Sequence, residues 1–296
     1  MSRVVVPRAL VAAMTSIHGA RGAGWCARLP AVVTSRARSW GVVLGEPFDA
    51  TYHWVAPGRR GSAEVVLKVG IANDEGDLVR EAGVLAAWDG AGAVRLLEVS
   101  VSADSVALLL ERVRPGTDLT GLPDDEAFPL LGRVGRALHS GGTARPPLAV
   151  EPAALADLRT GHPLLPPSVT SAAADRLDAL LASATAPVLC HGDLHHGNVL
   201  VGADGPVAID PRGVWAEPAL DVSVAMLNPL GTLPRDAAAL AALLERRLAL
   251  LCPAMRVDVD RGRAWTAVYA VVSAVWAAQD GLGIEEESLA VAAVLG

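Results

Sequence analysis

The sequence predicts an α+β protein built in two lobes, β-rich at the N-terminal side and mainly helical at the C-terminal side. Three observations carry that expectation. Residues 48–113 hold short β-type runs separated by polar turns. From Asp124 onward the chain turns to long Ala- and Leu-rich stretches punctuated by Gly and Pro. Strands gathered first and helices second indicate α+β rather than an alternating α/β order. A polar loop, Cys190–Asn198, interrupts the helical half and is followed by two short apolar runs.

The elements follow in order. Residues 1–45 carry Arg3, Arg8, Arg21, Arg28, Arg36 and Arg38 and no acid before Glu46. A transit peptide has that composition. Trp25, Leu29, Val32 and Val33 recur at roughly helical spacing, so a folded N-terminal helical arm is the expected reading. Residues 46–113 form the first lobe. Thr51–Ala56 and Glu64–Val69 read as strands joined by a turn over Pro57–Ser62. Leu78, Val79, Ala82, Leu85 and Ala86 imply a helix, and Val94–Val99 and Val106–Leu110 read as two more strands. Pro115-Gly116 ends regular structure and closes the lobe. Residues 114–296 form the second lobe. Helices are expected over 124–140, 152–159, 171–183, 235–251 and 261–279. The apolar stretch Ala264–Ala278 stops at Gln279 and Asp280, short of a membrane span, and reads as a core helix.

Two features carry chemistry. Lys68 stands in a mostly apolar strand, where an unpartnered ammonium is costly. Glu81, on the implied helix, is its obvious partner. An exposed edge-strand lysine has the same spacing. The second feature is the run Cys190-His191-Gly192-Asp193-Leu194-His195-His196-Gly197-Asn198, followed by Ala208-Ile209-Asp210. A carboxylate five positions before an amide, with a second carboxylate after the next apolar run, suits phosphoryl transfer with metal-bound nucleotide. Ala203-Asp204-Gly205 marks a hairpin. Pairing Val201 with Val207 would set Asn198 opposite Asp210, so that two oxygen ligands converge on one magnesium ion. Asp193 would then accept a hydrogen bond from an acceptor hydroxyl. Zinc is a poor alternative for Cys190, His191, His195 and His196, because adjacent histidines cannot readily face one ion. A structural hairpin without chemistry is the plain alternative.

Composition bounds the rest. With 296 residues, 52% hydrophobic and 19% charged, the chain can fill a sizeable core. The net charge of −7 does not favour a nucleic-acid partner, which would need a basic patch, and is compatible with a cationic small molecule. Three scattered cysteines fit a reducing, cytoplasmic setting better than a disulfide framework. A monomer or dimer is expected.

The motifs HGDLHHGNVL (191–200) and AIDPRG (208–213) resemble the aminoglycoside phosphotransferases, in particular their streptomycin 6-kinase and hydroxyurea-kinase branch. WCARLP (25–30), GEPFD (45–49), VLKV (66–69), GAVRLL (92–97) and LLER (109–112) look like that branch in the same order, so the resemblance spans roughly residues 6–281. It implies a two-lobed protein-kinase-like fold and an ATP-dependent O-phosphotransferase with Mg2+, GTP being the alternative nucleotide. Asp193 is then similar to the catalytic carboxylate, and Asn198 and Asp210 to the metal ligands. Lys68 resembles the phosphate-contacting lysine with Glu81 as its partner, and Glu111, Arg112 and Val113 the segment that receives adenine. His191 would brace the loop and Asp221 would support it. His195, Glu217, Asp221 and Asp280 are the candidates for holding a cationic antibiotic acceptor.

The chain also departs from the protein-kinase pattern. No Gly-x-Gly-x-x-Gly covers the phosphates, and Pro211 follows Asp210. Nothing resembles an activation loop, which argues against a protein substrate. The expected acceptor is streptomycin at its 6-hydroxyl, giving antibiotic resistance. Hydroxyurea, another antibiotic or a small metabolite are the alternatives. A non-catalytic nucleotide- or drug-binding protein is the rival from another class.

Overall fold

A computed structural model describes residues 4–49, 52–72, 77–141, 157–184 and 186–296. The chain opens with helix α1, Arg8–Ser39, which is broken at Gly19 (φ 56°, ψ −135°), a backbone conformation open essentially to glycine. Strands β1 (Val43–Leu44), β2 (Trp54–Arg60) and β3 (Ala63–Ile71) follow, then α2 (Asp77–Trp88), β4 (Leu96–Val101) and β5 (Ser105–Glu111). They form one antiparallel five-stranded sheet in the order β1-β2-β3-β5-β4.

Side chains alternate across this sheet, and each face has its own cover. Val65, Leu67 and Val69 of β3 and Ala107 and Leu109 of β5 are buried under Trp25, Leu29 and Val33 of α1. Val106, Leu108 and Leu110 face the other way, into the core that holds Leu78, Leu85 and Trp88 of α2. Within the stretch expected to form an arm, helix α1 (Arg8–Ser39) packs on the sheet.

The turn between β2 and β3 is only Gly61-Ser62, tighter than the Pro57–Ser62 turn expected. Pro57–Arg60 continue β2, because β2 borders only the two-residue β1 on its outer side and a proline is tolerated there. Thr51, expected to begin that strand, lies outside the described residues.

Beyond Glu111 the chain crosses to β6 (Pro115–Asp118), which pairs with β8 (Val199–Gly202), itself paired with β9 (Gly205–Ala208). Pro115-Gly116 thus begins a strand instead of ending order. Helices α3 (Asp124–Gly141), α4 (Asp157–Thr160), α5 (Pro167–Ala182), α6 (Ala219–Met226), α7 (Ala237–Met255), α8 (Val259–Gln279) and α9 (Glu286–Leu295) make up the rest, with β7 (Val188–Cys190) and β10 (Val214–Ala216) paired between them. Of the helix expected over 152–159, residues 152–156 lie outside the described residues and the remainder begins α4. No helix among the described residues is long and apolar enough to cross a membrane.

The two halves are joined by backbone. Ala208 N–H donates to Gly92 O at 2.8 Å, and Val94 N–H donates to Ala208 O at 3.0 Å. The connector between α2 and β4 is thereby pinned to the strand that leads to Asp210.

Candidate active site

The loop after β7 is held at both ends. Cys190 pairs with Val214, and the N–H groups of Arg212 and Gly213 both donate to His191 O at 3.0 Å. His191 is fully buried, and its ring bonds in two directions. Nε2 donates to Ile209 O at 2.9 Å, and Nδ1 accepts from Asp193 N–H at 3.2 Å. This pattern fixes the neutral tautomer, and burial pushes the imidazole below its usual range. Trp88 of α2 stacks on the ring with centroids 6.2 Å apart.

Asp221, at the start of α6, anchors the same loop. Its carboxylate accepts from His191 N–H at 2.9 Å, Gly192 N–H at 2.8 Å and His139 Nε2 at 2.9 Å. Burial pushes this carboxyl up, but the hydrogen bond and charge of His139, with the Gly192 N–H, outweigh it, and Asp221 stands below the ordinary carboxylate range. These bonds tie Asp221 to the backbone of the loop at His191 and Gly192. It is not an acceptor-binding carboxylate, because it has no exposed surface.

Glu217 is corrected for the same reason. It is buried, Arg261 grips it through Nε at 2.9 Å and Nη2 at 2.7 Å, and Trp265 Nε1–H donates to it. A cation and an indole already occupy the carboxylate that an acceptor would need. Asp280 is exposed and caps the C-terminal end of α8.

The Asp193 carboxylate is about 30% exposed and lies between two basic groups, with Arg212 Nε 3.5 Å and His195 Nε2 3.9 Å away. Asn198 ends a single 3-10 turn, His196–Asn198, and its Nδ2 donates to Asp193 O at 2.9 Å. That leaves the amide oxygen available.

The hairpin register differs by one residue from the expected one. Val201 pairs with Pro206 and Leu200 with Val207, so Asn198 lies opposite Ile209, whose N–H donates to Asn198 O at 2.9 Å. The cause is loop length. Gly202 pairs with Gly205 and only Ala203-Asp204 form the turn, whereas the expected register needed a three-residue turn. Asp210 then leaves the strand in the left-handed region (φ 56°), which re-aims its side chain.

Asp210 Oδ1 meets Lys68 Nζ at 3.0 Å, and Glu81 Oε2 meets the same nitrogen at 2.7 Å. Lys68 is 2% exposed. Burial alone would lower its pKa, but Glu81 and Asp210 outweigh burial and hold it above its usual value. One ammonium thus serves two carboxylates. Glu81 is the one left short: burial, only partly offset by Lys68, pushes it up to about 7, and its Oε1 has no hydrogen-bonding partner among the described residues.

An amide oxygen from Asn198 and a half-exposed carboxylate from Asp210 are hard donors, the type that suits magnesium with phosphate oxygens completing the shell. The segment from Glu111 to Val113 joins the two halves. Glu111 Oε1 accepts from Arg95 N–H at 2.9 Å, and Arg112 N–H donates to Glu64 O at 3.4 Å.

Four neighbours of the site were not singled out in the sequence. Arg212 stands two residues after Asp210, inside the AIDPRG run that drew attention for its acid. Tyr269, one of only two tyrosines, lies on α8 close enough for Asp193 and Arg212 to act on its hydroxyl, which burial chiefly pushes up. His139 is the lone basic residue in the last turn of α3. His53 precedes β2 and feels the charges of Lys68 and Asp210.

Residues 45–281 match the family described as aminoglycoside/hydroxyurea antibiotic resistance kinase. The chain is 32% identical to a hydroxyurea phosphotransferase of Kitasatospora aureofaciens, with 99% of this chain and 86% of that one aligned. It is 33% identical to a streptomycin 3''-kinase of Klebsiella pneumoniae, over 80% of this chain and 88% of that one. Among solved structures, a thermostable variant of the aminoglycoside phosphotransferase APH(4)-Ia, in ternary complex with ADP and hygromycin B, superposes with a TM-score of 0.58 at 16% identity. That match covers 90% of this chain and 98% of the other.

Proposed function

The chain belongs to the aminoglycoside/hydroxyurea antibiotic resistance kinase family, and on that footing we propose that it transfers the γ-phosphoryl group of ATP to a hydroxyl of streptomycin, the 6-hydroxyl, in the presence of magnesium. The observation that carries this reading is the convergence at Lys68. Its nitrogen sits 2.7 Å from Glu81 and 3.0 Å from Asp210, groups that come from a helix of the first half and a loop of the second. A cation held in place by two carboxylates is poised to meet phosphate oxygens.

In this reading Asp193 orients the acceptor hydroxyl and takes its proton as the oxygen–phosphorus bond forms and the bond to ADP breaks. Asn198 and Asp210 would hold a magnesium ion, which would supply charge neutralisation to the transferring phosphoryl group. Lys68 contacts the phosphates and Glu81 orients it. The backbone at Glu111, Arg112 and Val113 receives the base, ATP being preferred to GTP. Residues 1–45 then serve as an arm, 46–113 as the nucleotide-binding lobe and 114–296 as the lobe with the catalytic loop and acceptor site. We place the reaction in the cytoplasm, a setting that the three free, buried cysteines suit.

Incubation with ATP, magnesium and a panel of acceptors, read by mass spectrometry, tests the proposal. Streptomycin should gain one phosphate, and Asp193→Ala should abolish the gain while the protein still binds nucleotide. Turnover retained in Asp193→Ala, or no product from any acceptor, overturns it. A specific observation favours one second reading. The hydroxyurea phosphotransferase aligns over 99% of the chain, and phosphorylation of hydroxyurea in preference to streptomycin would select it.

A further inference from the structure

His53 stands over Gly70 and feels the charge of Lys68, and the sequence supplies no glycine-rich loop before it. Residues 45–52 contain a single glycine, Gly45. A cover built on glycines offers backbone N–H groups, because the chain can approach the phosphates closely. Here that device is missing, and the question is which donor replaces it.

The β2–β3 register locates His53. Trp54 pairs with Val69 and Val55 with Lys68, so the residue before Trp54 stands opposite Gly70. Trp54, Leu67 and Val69 turn toward α1. By alternation His53, Val55, Lys68 and Gly70 project from the other face, the face on which Lys68 meets Glu81 and Asp210. The absent side chain at Gly70 makes room for the ring. A Cβ there would stand 2.6 Å from His53 Cδ2 and 3.3 Å from Nε2.

The ring's chemistry fits a phosphate contact. Burial, and then the charge of Lys68, hold the imidazole neutral, with its pKa down to about 3 against the opposing pull of Asp210 and Asp77. A neutral imidazole keeps one N–H donor. No hydrogen bond to either ring nitrogen is formed among the described residues, which leaves the donor able to turn to a bound phosphate.

We propose that His53 is a nucleotide-binding residue. Its ring N–H donates to a β- or γ-phosphate oxygen beside Lys68, doing with a side chain what a glycine-rich loop does with its backbone. This inference rests on the kinase reading above, and its test separates the two.

The test uses the full chain with magnesium, and calorimetric binding of ATP, ADP and adenosine. His53→Phe keeps an aromatic ring over Gly70 and removes the donor, and His53→Gln restores a donor without the ring. A hydrogen bond to a charged partner predicts that His53→Phe weakens ATP binding about 10- to 100-fold. Adenosine binding should be unchanged, and His53→Gln should recover most of the loss. A deficit for ATP alone assigns the γ-phosphate, and an equal deficit for ADP assigns the β-phosphate. Wild-type ATP affinity in His53→Phe overturns the inference and leaves the kinase reading intact. Equal losses for ATP and adenosine overturn it too, because the ring then only packs. Wild-type protein that binds no nucleotide overturns both.

Discussion

Replacing Asp221 by Asn keeps the side chain's shape and tests whether one buried carboxylate holds the catalytic loop in place. Asp221 has no exposed surface and accepts from two loop N–H groups and from His139, all within 2.8–2.9 Å. An amide offers one oxygen and turns an N–H donor toward a donor. One charge-assisted bond is lost, worth about 1.5–3 kcal/mol, and one buried N–H is left unpaired, costing about 1–3 kcal/mol. The expected destabilisation is roughly 3–5 kcal/mol. With an unfolding entropy of about 2.1 cal/mol/K per residue, the melting temperature should fall by roughly 5–8 °C.

Activity should fall further than stability explains. The two bonded N–H groups belong to His191 and Gly192, the residues next to Asp193, and a displacement of the order of 1 Å in a positioned group costs about 100-fold in rate. The assay is calorimetric melting, together with kcat measured at a temperature where both proteins are fully folded. The pH dependence has a definite sign. A carboxyl held below its unfolded value of about 3.9 contributes stability above that pH and loses it as pH falls through the folded value. The variant should therefore lose less stability than the wild type on acidification below about pH 4. A melting temperature within about 1 °C of wild type, with kcat within about twofold, would refute the anchoring role.

Three further outcomes are expected. A Cβ on Gly213 (φ 72°) would overlap Cγ2 of Val84, one turn from Glu81 on α2. Gly213→Ala should cut kcat and Val84→Ala in the same chain should restore part of it, while Gly61→Ala, with a similar φ and nothing within 4 Å, should cost only the backbone strain of about 1–2 kcal/mol. Glu81 sits at about 7 because burial outweighs Lys68, so it binds its proton more tightly folded than unfolded, and its contribution to stability declines as pH rises from about 4.5 to about 7. The stability of Glu81→Gln relative to wild type should improve by roughly 3 kcal/mol across that window in urea titrations, and a constant difference would exclude the effect. Trp25 is buried between α1 and the sheet, with Nε1 donating to Ser105 Oγ at 2.9 Å. Trp25→Ala should cost about 3–5 kcal/mol in urea unfolding, and a loss below about 1 kcal/mol would mean that the arm does not stabilise the sheet.

The residues that were legible in the sequence are those whose placement follows from local pattern. Lys68 among apolar neighbours and Glu81 on a periodic helix could be paired, since a buried ammonium demands an acid. The loop from His191 to Asn198 and the hairpin after it were visible from turn residues and β-type runs. Register was not, because a two-residue and a three-residue turn fit the same Ala203-Asp204-Gly205 string, and only the folded chain decides between them. The two misread carboxylates failed for another reason. Sequence shows a charge and hides its partner: Arg261 lies 44 residues from Glu217, and His139 lies 82 residues from Asp221. His53 escaped notice because its importance comes from the blank at Gly70 across the strand.

With Glu217 and Asp221 committed inside the fold, Asp280 is the remaining expected acceptor carboxylate, and its position makes it sensitive to acceptor size. Tyr269 is close enough to Asp193 to feel its charge, and Asp280 follows eleven residues later at the end of the same helix. At 1.5 Å per residue that is about 16 Å. If that rise separates the loop from the carboxylate, a molecule as small as hydroxyurea would not bridge the two, whereas a multi-ring aminoglycoside with a cationic group would reach toward Asp280. Asp280→Asn should therefore raise the KM for streptomycin several-fold with kcat unchanged, as expected for one exposed charge-assisted contact. The KM for hydroxyurea should not move. An unchanged KM for both removes Asp280 from the acceptor site, and an equal rise for both would show that the substitution acts through α8 rather than through contact.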